Sequence, residues 1–490
     1  MLKKLKIIFP PVLLACLFSL LASLNLRTAI WFDEAYSAFL IRGNFGEIWA
    51  STAVDVHPPF YYFCLKIWSL IFGTSDFALR SMSVFFAALG IILCFFLLKR
   101  LFNLKTATVS TFFLSLSPFL IRYSEEMRMY GLVFFIVISA TFALDYALKS
   151  KKKLPWLLYA VLISLGMWTH YFTSLVWLAH LIWIIYYYHQ SKNLKSNLKT
   201  LILTYTFAVL LFLPWLPSFF TQVKTVQNGF WIPEVSLLTP FSFLTEALTL
   251  SSPEEVKNWL ILPVLGVLFF SIFLARKTLK TLKSSEQNNL LFLCFLIFLP
   301  PLLLCLLSLP PLKSTYMTRY ITYSSALLSA LIGILFSYNI QKTSRKTGNY
   351  LSLLLLACFL ICSVFGIHST LTRENDSEPR EVMTLANSLA ETNEPILINA
   401  EPMDYYNLYF YETPSSPVYS FNVDFIWGSL DPIRNYQNTY LESPTDFLSS
   451  REKFIVIHST SLDSPSFDSF EITSSYSTEN FEVLEFSRLL

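Results

Sequence analysis

Residues 58–73 read PPFYYFCLKIWSLIFG, and the fold turns on whether this run crosses a membrane. It is apolar and aromatic, yet only 16 residues long with Lys66 inside it. A spanning helix needs about 20 apolar residues, rarely fewer than about 17. Counting the run as a span would also place Lys99 and Arg100 outside and invert everything after them. It therefore reads as a short interfacial or re-entrant helix, opened by the rigid Pro58-Pro59 pair.

With that run left out, the candidate spans are 7–25, 80–98, 104–121, 131–148, 154–169, 171–188, 200–217, 259–275, 289–311, 320–338 and 350–367. Lys and Arg gather in cytoplasmic loops. The basic clusters are Lys3/Lys4/Lys6, Lys99/Arg100/Lys105, Lys149 with Lys151–Lys153, Lys192/Lys195/Lys199, Arg276/Lys277/Lys280/Lys283 and Lys342/Arg345/Lys346. They fall at every second connection and hold 20 of the 36 positive residues, so a mistaken span would break the alternation. The expected arrangement is eleven transmembrane helices, N-terminus in and C-terminus out. A transmembrane domain over 1–368 carries outer loops 26–79 and 218–258, and an extracytoplasmic domain follows over 369–490. The basic start before an apolar run also fits a signal peptide, but Leu21–Arg27 (LASLNLR) is a poor cleavage site, so the first helix is read as retained.

Composition agrees. The 490 residues are 54% hydrophobic, 17% aromatic and only 14% charged, where soluble domains carry roughly 25% charged residues. Residues 369–490 hold 6 Lys/Arg against 20 Asp/Glu, so a basic membrane body meets an acidic tail. In that tail EVMTLANSLAET and MDYYNLYFYE read as helices and PILINA and KFIVIH as strands, a small α/β domain. The Ser-rich end after His458 reads as less ordered. All seven Cys lie in apolar runs and suggest no disulfide framework. Walker-type loops, zinc spacing and charge stripes within spans are missing, which weighs against ATP-driven transport, a zinc centre and a proton pump. Nothing points to a nucleic acid.

Three outer segments carry chemistry. Asp33-Glu34 follows the first span between aromatics. A carboxylate there suits a general base for a hydroxyl or amine, although a solvated loop pair or a helix cap explains it as well. His57, pinned by Pro58-Pro59 at the water–lipid boundary, fits phosphate or metal binding, steering of Asp33, or plain helix capping. Between the third and fourth spans lies Arg122-Tyr-Ser-Glu125-Glu126-Met-Arg128-Met-Tyr130. On a helix Arg122 and the two glutamates share a face, which allows a carboxylate–guanidinium network. Charge at membrane depth points to function, and Arg suits phosphate, while paired snorkelling ions are the structural alternative. His170-Tyr171, Lys224 with Trp231, and Arg319-Tyr320 read first as interfacial anchors.

Together these motifs resemble the GT-C glycosyltransferases, of the protein O-mannosyltransferase and aminoarabinose-transferase type (glycosyltransferase family 39-like). The resemblance is carried by Asp33-Glu34, His57-Pro58-Pro59, Arg122 to Tyr130 and Arg319-Tyr320, and fades toward residue 340. It implies a sugar donor on a polyprenyl or dolichyl phosphate and transfer to a glycan, lipid or protein acceptor at the outer face, with inversion. Asp33 would be the catalytic base and Glu34 its orienting neighbour. His57 sits where such proteins hold the lipid phosphate, and Arg122, Arg128 and Arg319 would face the leaving phosphate. Glu125, Glu126, Tyr130 and Tyr320 would complete the substrate site. The aminoarabinose transferases place an acid before Lys-Pro-Pro, whereas Val56 precedes His57 here. A divalent metal ion held by Asp33 and His57 therefore stays open. Loop 218–258 is too short for the folded insert of the eukaryotic mannosyltransferases, and the tail becomes the part that selects the acceptor. The implied location is a bacterial inner or plasma membrane. Two other readings compete: a transporter or flippase of lipid-linked sugars, for which the Pro300-Pro301 break speaks, and a non-enzymatic envelope-polymer assembly subunit.

Overall fold

The computed structural model describes residues 2–150, 152–229, 231–342, 346–373, 377–413, 415–421 and 440–489. Two residues of the expected basic clusters, Lys151 and Arg345, lie outside the described residues. The helices are α1 (Leu2–Ser23), α2 (Phe32–Leu40), α3 (Phe45–Val54), α4 (Phe60–Phe72), α5 (Asp76–Leu101), α6 (Leu104–Ser115), α7 (Pro118–Ser124), α8 (Tyr130–Lys149), α9 (Leu154–Thr169) and α10 (Thr173–Gln190). There follow α11 (Leu194–Phe212), α12 (Leu216–Asn228), α13 (Thr239–Thr249), α14 (Asn258–Thr281), α15 (Ser284–Leu307), α16 (Thr322–Lys342), α17 (Lys346–Leu371), α18 (Glu378–Leu389) and α19 (Pro402–Tyr409). The chain forms two compact units: Met1–Leu26, Val56–Tyr61 and Arg80–Arg373 in the first, and Arg27–Asp55, Tyr62–Leu79 and Glu374–Leu490 in the second.

The protein is an α-helical polytopic membrane protein. Among the described residues seven helices are long and apolar enough to cross a membrane, or eight if a bent pair is one span. The bent pair is α6 and α7, which meet at 58°. Pro118 supplies the reason: it has no N–H to continue the ladder and would clash with the preceding turn, while Ser117 caps the new helix. The expected span 200–217 belongs to a longer run, Leu194–Asn228, so loop 218–258 begins inside a helix. Among the shorter apolar helices are Ile7–Ser23, α4 and α9. The decisive stretch forms α4, at 13 residues short for a crossing.

In the first unit α16 is the most buried of the long apolar helices and packs on α6. Contact is close because Gly333 has no side chain: a Cβ there would sit 2.7 Å from the Ser110 Cα. At the ends of α5 and α8, Arg100 and Lys149 both pair with buried Asp145. Buried His180 is a satisfied core group, bonded to Tyr159 and Thr141.

The second unit holds a five-stranded sheet of β1 (Ile396–Asn399), β2 (Val418–Ser420), β3 (Lys453–Ser459), β4 (Phe470–Ser477) and β5 (Phe481–Arg488). The order is β2-β1-β3-β5-β4, with β1 parallel to β2 and β3 and the last pairs antiparallel. Leu397, Phe454, Val456, Leu484 and Phe486 form its apolar core. The Ser-rich end is ordered, contrary to expectation, as the β4–β5 ribbon. Ser475 and Ser477 of β4 are exposed and Ser474 half-buried, while Phe481, Val483, Leu484 and Phe486 of β5 are buried.

Candidate active site

Within the first unit, His57 follows Val56 and enters α4 through Pro58-Pro59. The Arg128 guanidinium meets it, Nη2 3.3 Å from His57 Nε2. Arg128 is held in turn at its backbone, where the Ser83 hydroxyl donates to the Arg128 carbonyl at 2.8 Å. That approach of α5 to the start of α8 needs Gly131, since a Cβ there would lie 2.2 Å from the Ser83 carbonyl oxygen. The His170 ring stands 6.2 Å from His57, 6.5 Å from Tyr130 and 5.1 Å from Tyr320. Tyr320 stacks on Phe172, and the Arg319 guanidinium lies over the Trp231 and Tyr320 rings.

The electrostatics follow from burial. His170 is pushed well below the usual imidazole range, first by burial and then by His57, Arg128 and Arg319. It is therefore a neutral ring, with its Nδ1 buried and unpaired among the described residues. His57, His170 and Tyr320 line one cavity of about 480 Å³, whose other walls include Leu175, Phe219 and Val226. Arg128 stands behind His57 rather than in the wall, and Lys313 is the cation that lines the chamber; polar groups on an otherwise apolar chamber suit a polar head group on a hydrocarbon chain.

The other charges of the 122–130 segment form a separate group. Arg122 Nη2 is 2.7 Å from Glu126 Oε1, and its Nη1 is 3.5 Å from Glu125 Oε1. Arg373 Nη1 reaches the same Glu126 oxygen at 3.8 Å. Burial pushes Glu125 up to about 8, opposed by Arg122 and reinforced by Glu126. The structure thus brings Arg128, Tyr130, Arg319 and Tyr320 around the histidines, and places Arg122, Glu125 and Glu126 with Arg373.

In the second unit Asp33 and Glu34 lie in the first turn of α2, not in a loop. The helix N-terminus favours carboxylates there. Their roles divide: fully buried Glu34 reaches back to accept the Trp31 N–H, while Asp33 is half-buried. The segment before α2 is clipped by the tail. The Tyr411 hydroxyl accepts the Ile30 N–H at 2.9 Å, and Arg380 Nη2 donates to that hydroxyl at 3.3 Å. Arg380 also binds Asp76 at 2.7 Å and the Arg27 carbonyl at 3.0 Å. Tyr406 of α19 packs edge-on against Phe32 and Phe39. Lys66 donates to the Ile41 carbonyl at 2.9 Å, at the end of α2.

Sequence reasoning missed Arg373, Arg380, Tyr411 and Glu246. Glu246, on α13, is raised to about 7 by burial. The first three matter through partners far along the chain, so no local pattern marks them. Among the described residues no three His, Cys, Asp or Glu side chains gather to hold a metal ion. His57 in particular has the Arg128 guanidinium 3.3 Å from its Nε2, a positive neighbour that disfavours a divalent cation there. No step is derived through a metal.

Residues 56–217 match the family model for dolichyl-phosphate-mannose-protein mannosyltransferase. No curated protein sequence matches the chain. Among solved structures, ArnT from Cupriavidus metallidurans bound to undecaprenyl phosphate aligns over 97% of both chains with a TM-score of 0.60 at 12% identity. Its apo state aligns equally well at 11% identity. The Archaeoglobus fulgidus oligosaccharyltransferase, in complex with zinc and sulfate, aligns over 90% of this chain and 67% of its own with a TM-score of 0.50 at 12% identity. Such identities speak to fold. The chain has the GT-C fold of the membrane glycosyltransferases, as the resemblance of its outer motifs leads one to expect. The particular likeness is to ArnT, over nearly the full length of both proteins.

Proposed function

We propose that the chain is a membrane glycosyltransferase that takes a sugar from a polyprenyl-phosphate carrier and passes it, with inversion, to a glycan, lipid or protein acceptor at the outer face of a bacterial plasma membrane. The observation that carries this reading is the Arg128–His57 pair, with His57 lining an apolar cavity of about 480 Å³. The match to a structure holding undecaprenyl phosphate supports the same chemistry. In this reading the chain crosses the membrane eleven times, residues 369–490 form an outer domain, and that domain selects the acceptor.

Asp33 is the base. It accepts the acceptor hydroxyl's proton as the oxygen forms its bond to the anomeric carbon. The bond from that carbon to the carrier phosphate breaks, and its electron pair stays on the phosphate oxygen. Negative charge grows there, and Arg128 and Arg319 offset it. Neutral His170 lends polarity without competing for the phosphate as a cation. Glu34 fixes the start of α2 and so the direction of Asp33. The leaving group is already good, so positioning and phosphate neutralisation supply most of the catalysis.

The test is consumption of labelled polyprenyl-phosphate sugars by the purified chain in lipid, with an acceptor extract from the native membrane. Consumption of one donor, dependent on the extract, supports the transferase. A chain that binds no member of the panel contradicts it.

A further inference from the structure

The first unit has a second cavity, of about 360 Å³, lined by Arg122, Arg373, Ser369, Thr370, Thr372 and Leu250 among others. It shares no lining residue with the His57 cavity. Its two guanidinium groups come from residues far apart in the chain and converge on one carboxylate oxygen of Glu126, at 2.7 and 3.8 Å. One buried carboxylate thus orients two forks. The hydroxyls of Thr370 and Thr372 donate to the carbonyls of Gly366 and His368, which occupies acceptors at the end of α17. Leu250, at the end of α13, has φ 62°, a left-handed conformation costly for a branched side chain and concentrated at functional sites.

Two guanidinium groups line the cavity, and Glu125 beside Arg122, held up by burial, takes a proton near neutral pH and so adds little negative charge there. We propose that this cavity is a second anion site, distinct from the His57–Arg128 site, and that it holds a phosphate group carried on a phospholipid head or free in solution. Phosphate fits better than carboxylate. Its larger charge and additional oxygens engage two planar forks and a neighbouring hydroxyl together. The proposal stands on the cavity alone and does not need the transferase reading.

The test titrates inorganic phosphate into the full chain in phosphate-free detergent. All variants carry Arg128→Ala, which removes the guanidinium beside His57. Adding Arg373→Gln weakens phosphate binding about tenfold, the loss of one charge-assisted contact. Ser369→Ala, which leaves both arginines in place and removes a hydroxyl lining the cavity, weakens it severalfold and decides the matter should Arg373→Gln fail to fold. Unchanged affinity in whichever of these folds overturns the proposal. A second arm repeats the titration in nanodiscs of phosphatidylcholine alone or with phosphatidylglycerol. Phosphate binding suppressed by phosphatidylglycerol assigns the site to a lipid head. Equal binding in both assigns it to free phosphate.

Discussion

Arg128 and His57 stand 71 residues apart in the chain and 3.3 Å apart in space, guanidinium nitrogen to imidazole nitrogen. Two groups able to carry positive charge are not set face to face for their mutual attraction. A guanidinium and an imidazole can both donate to an anion, and the apolar cavity that His57 lines suggests what that anion is attached to. In the proposed account both act on the carrier phosphate.

Arg128→Ala should weaken donor binding by about 10–100-fold, since a hydrogen bond to a charged group contributes about 1.5–3 kcal/mol. Donor affinity and KM measure it. Arg128→Lys should recover part of the loss, keeping the charge without the fork. Unchanged KM and kcat would make Arg128 a structural residue.

Gly131→Ala should act on the same site from beneath. Its methyl group would meet the Ser83 carbonyl oxygen, a backbone atom with no easy escape. Overpacking of this kind costs about 1–3 kcal/mol. The expected result is a lower unfolding midpoint together with weaker donor binding, because the Ser83–Arg128 contact shifts. A variant with normal stability and affinity would show that α5 and α8 are less tightly fixed than described.

The clip formed by Arg380, Tyr411 and the Ile30 N–H should behave as a positioning device for α2. Tyr411→Phe leaves the Ile30 N–H without its hydroxyl acceptor, a loss of about 1–3 kcal/mol if the site stays buried. If the clip serves Asp33, kcat falls while donor KM holds. A fall in stability with kcat intact would mark the clip as purely structural.

Stability should also depend on pH through Glu125. Its folded pKa of about 8 lies above the ordinary 4.5, so the folded chain holds this proton more tightly. The stability this contributes is fully present below pH 4.5 and is lost as pH rises to about 8. Glu125→Gln, which cannot titrate, should flatten that part of the profile. Equal slopes for the two proteins would contradict the burial of an uncharged Glu125.

Much of this architecture is legible in the chain. The alternation of basic clusters and long apolar runs announces a polytopic membrane protein, and Lys66 with the shortness of PPFYYFCLKIWSLIFG foretells α4. PILINA and KFIVIH become the paired parallel strands β1 and β3. The rest depended on partners no local pattern names. Asp33-Glu34 reads equally as loop or helix start until α19 packs against α2. In the segment Arg122 to Tyr130 the network of Arg122 with the glutamates is legible from helical spacing, but its Arg373 partner and the turn of Arg128 to His57 are not. The serines of β4 hide a strand that Phe481–Arg488 of β5 supports.

The central claim is that Asp33 takes the proton of the attacking hydroxyl. The direct measurement is single-turnover sugar transfer by the wild type and Asp33→Asn, with donor affinity measured alongside. The account predicts donor binding within about twofold of wild type and transfer lowered by about 10²–10⁴-fold, the usual worth of a general base. Transfer by Asp33→Asn at a near-normal rate, with the donor bound as before, would contradict it.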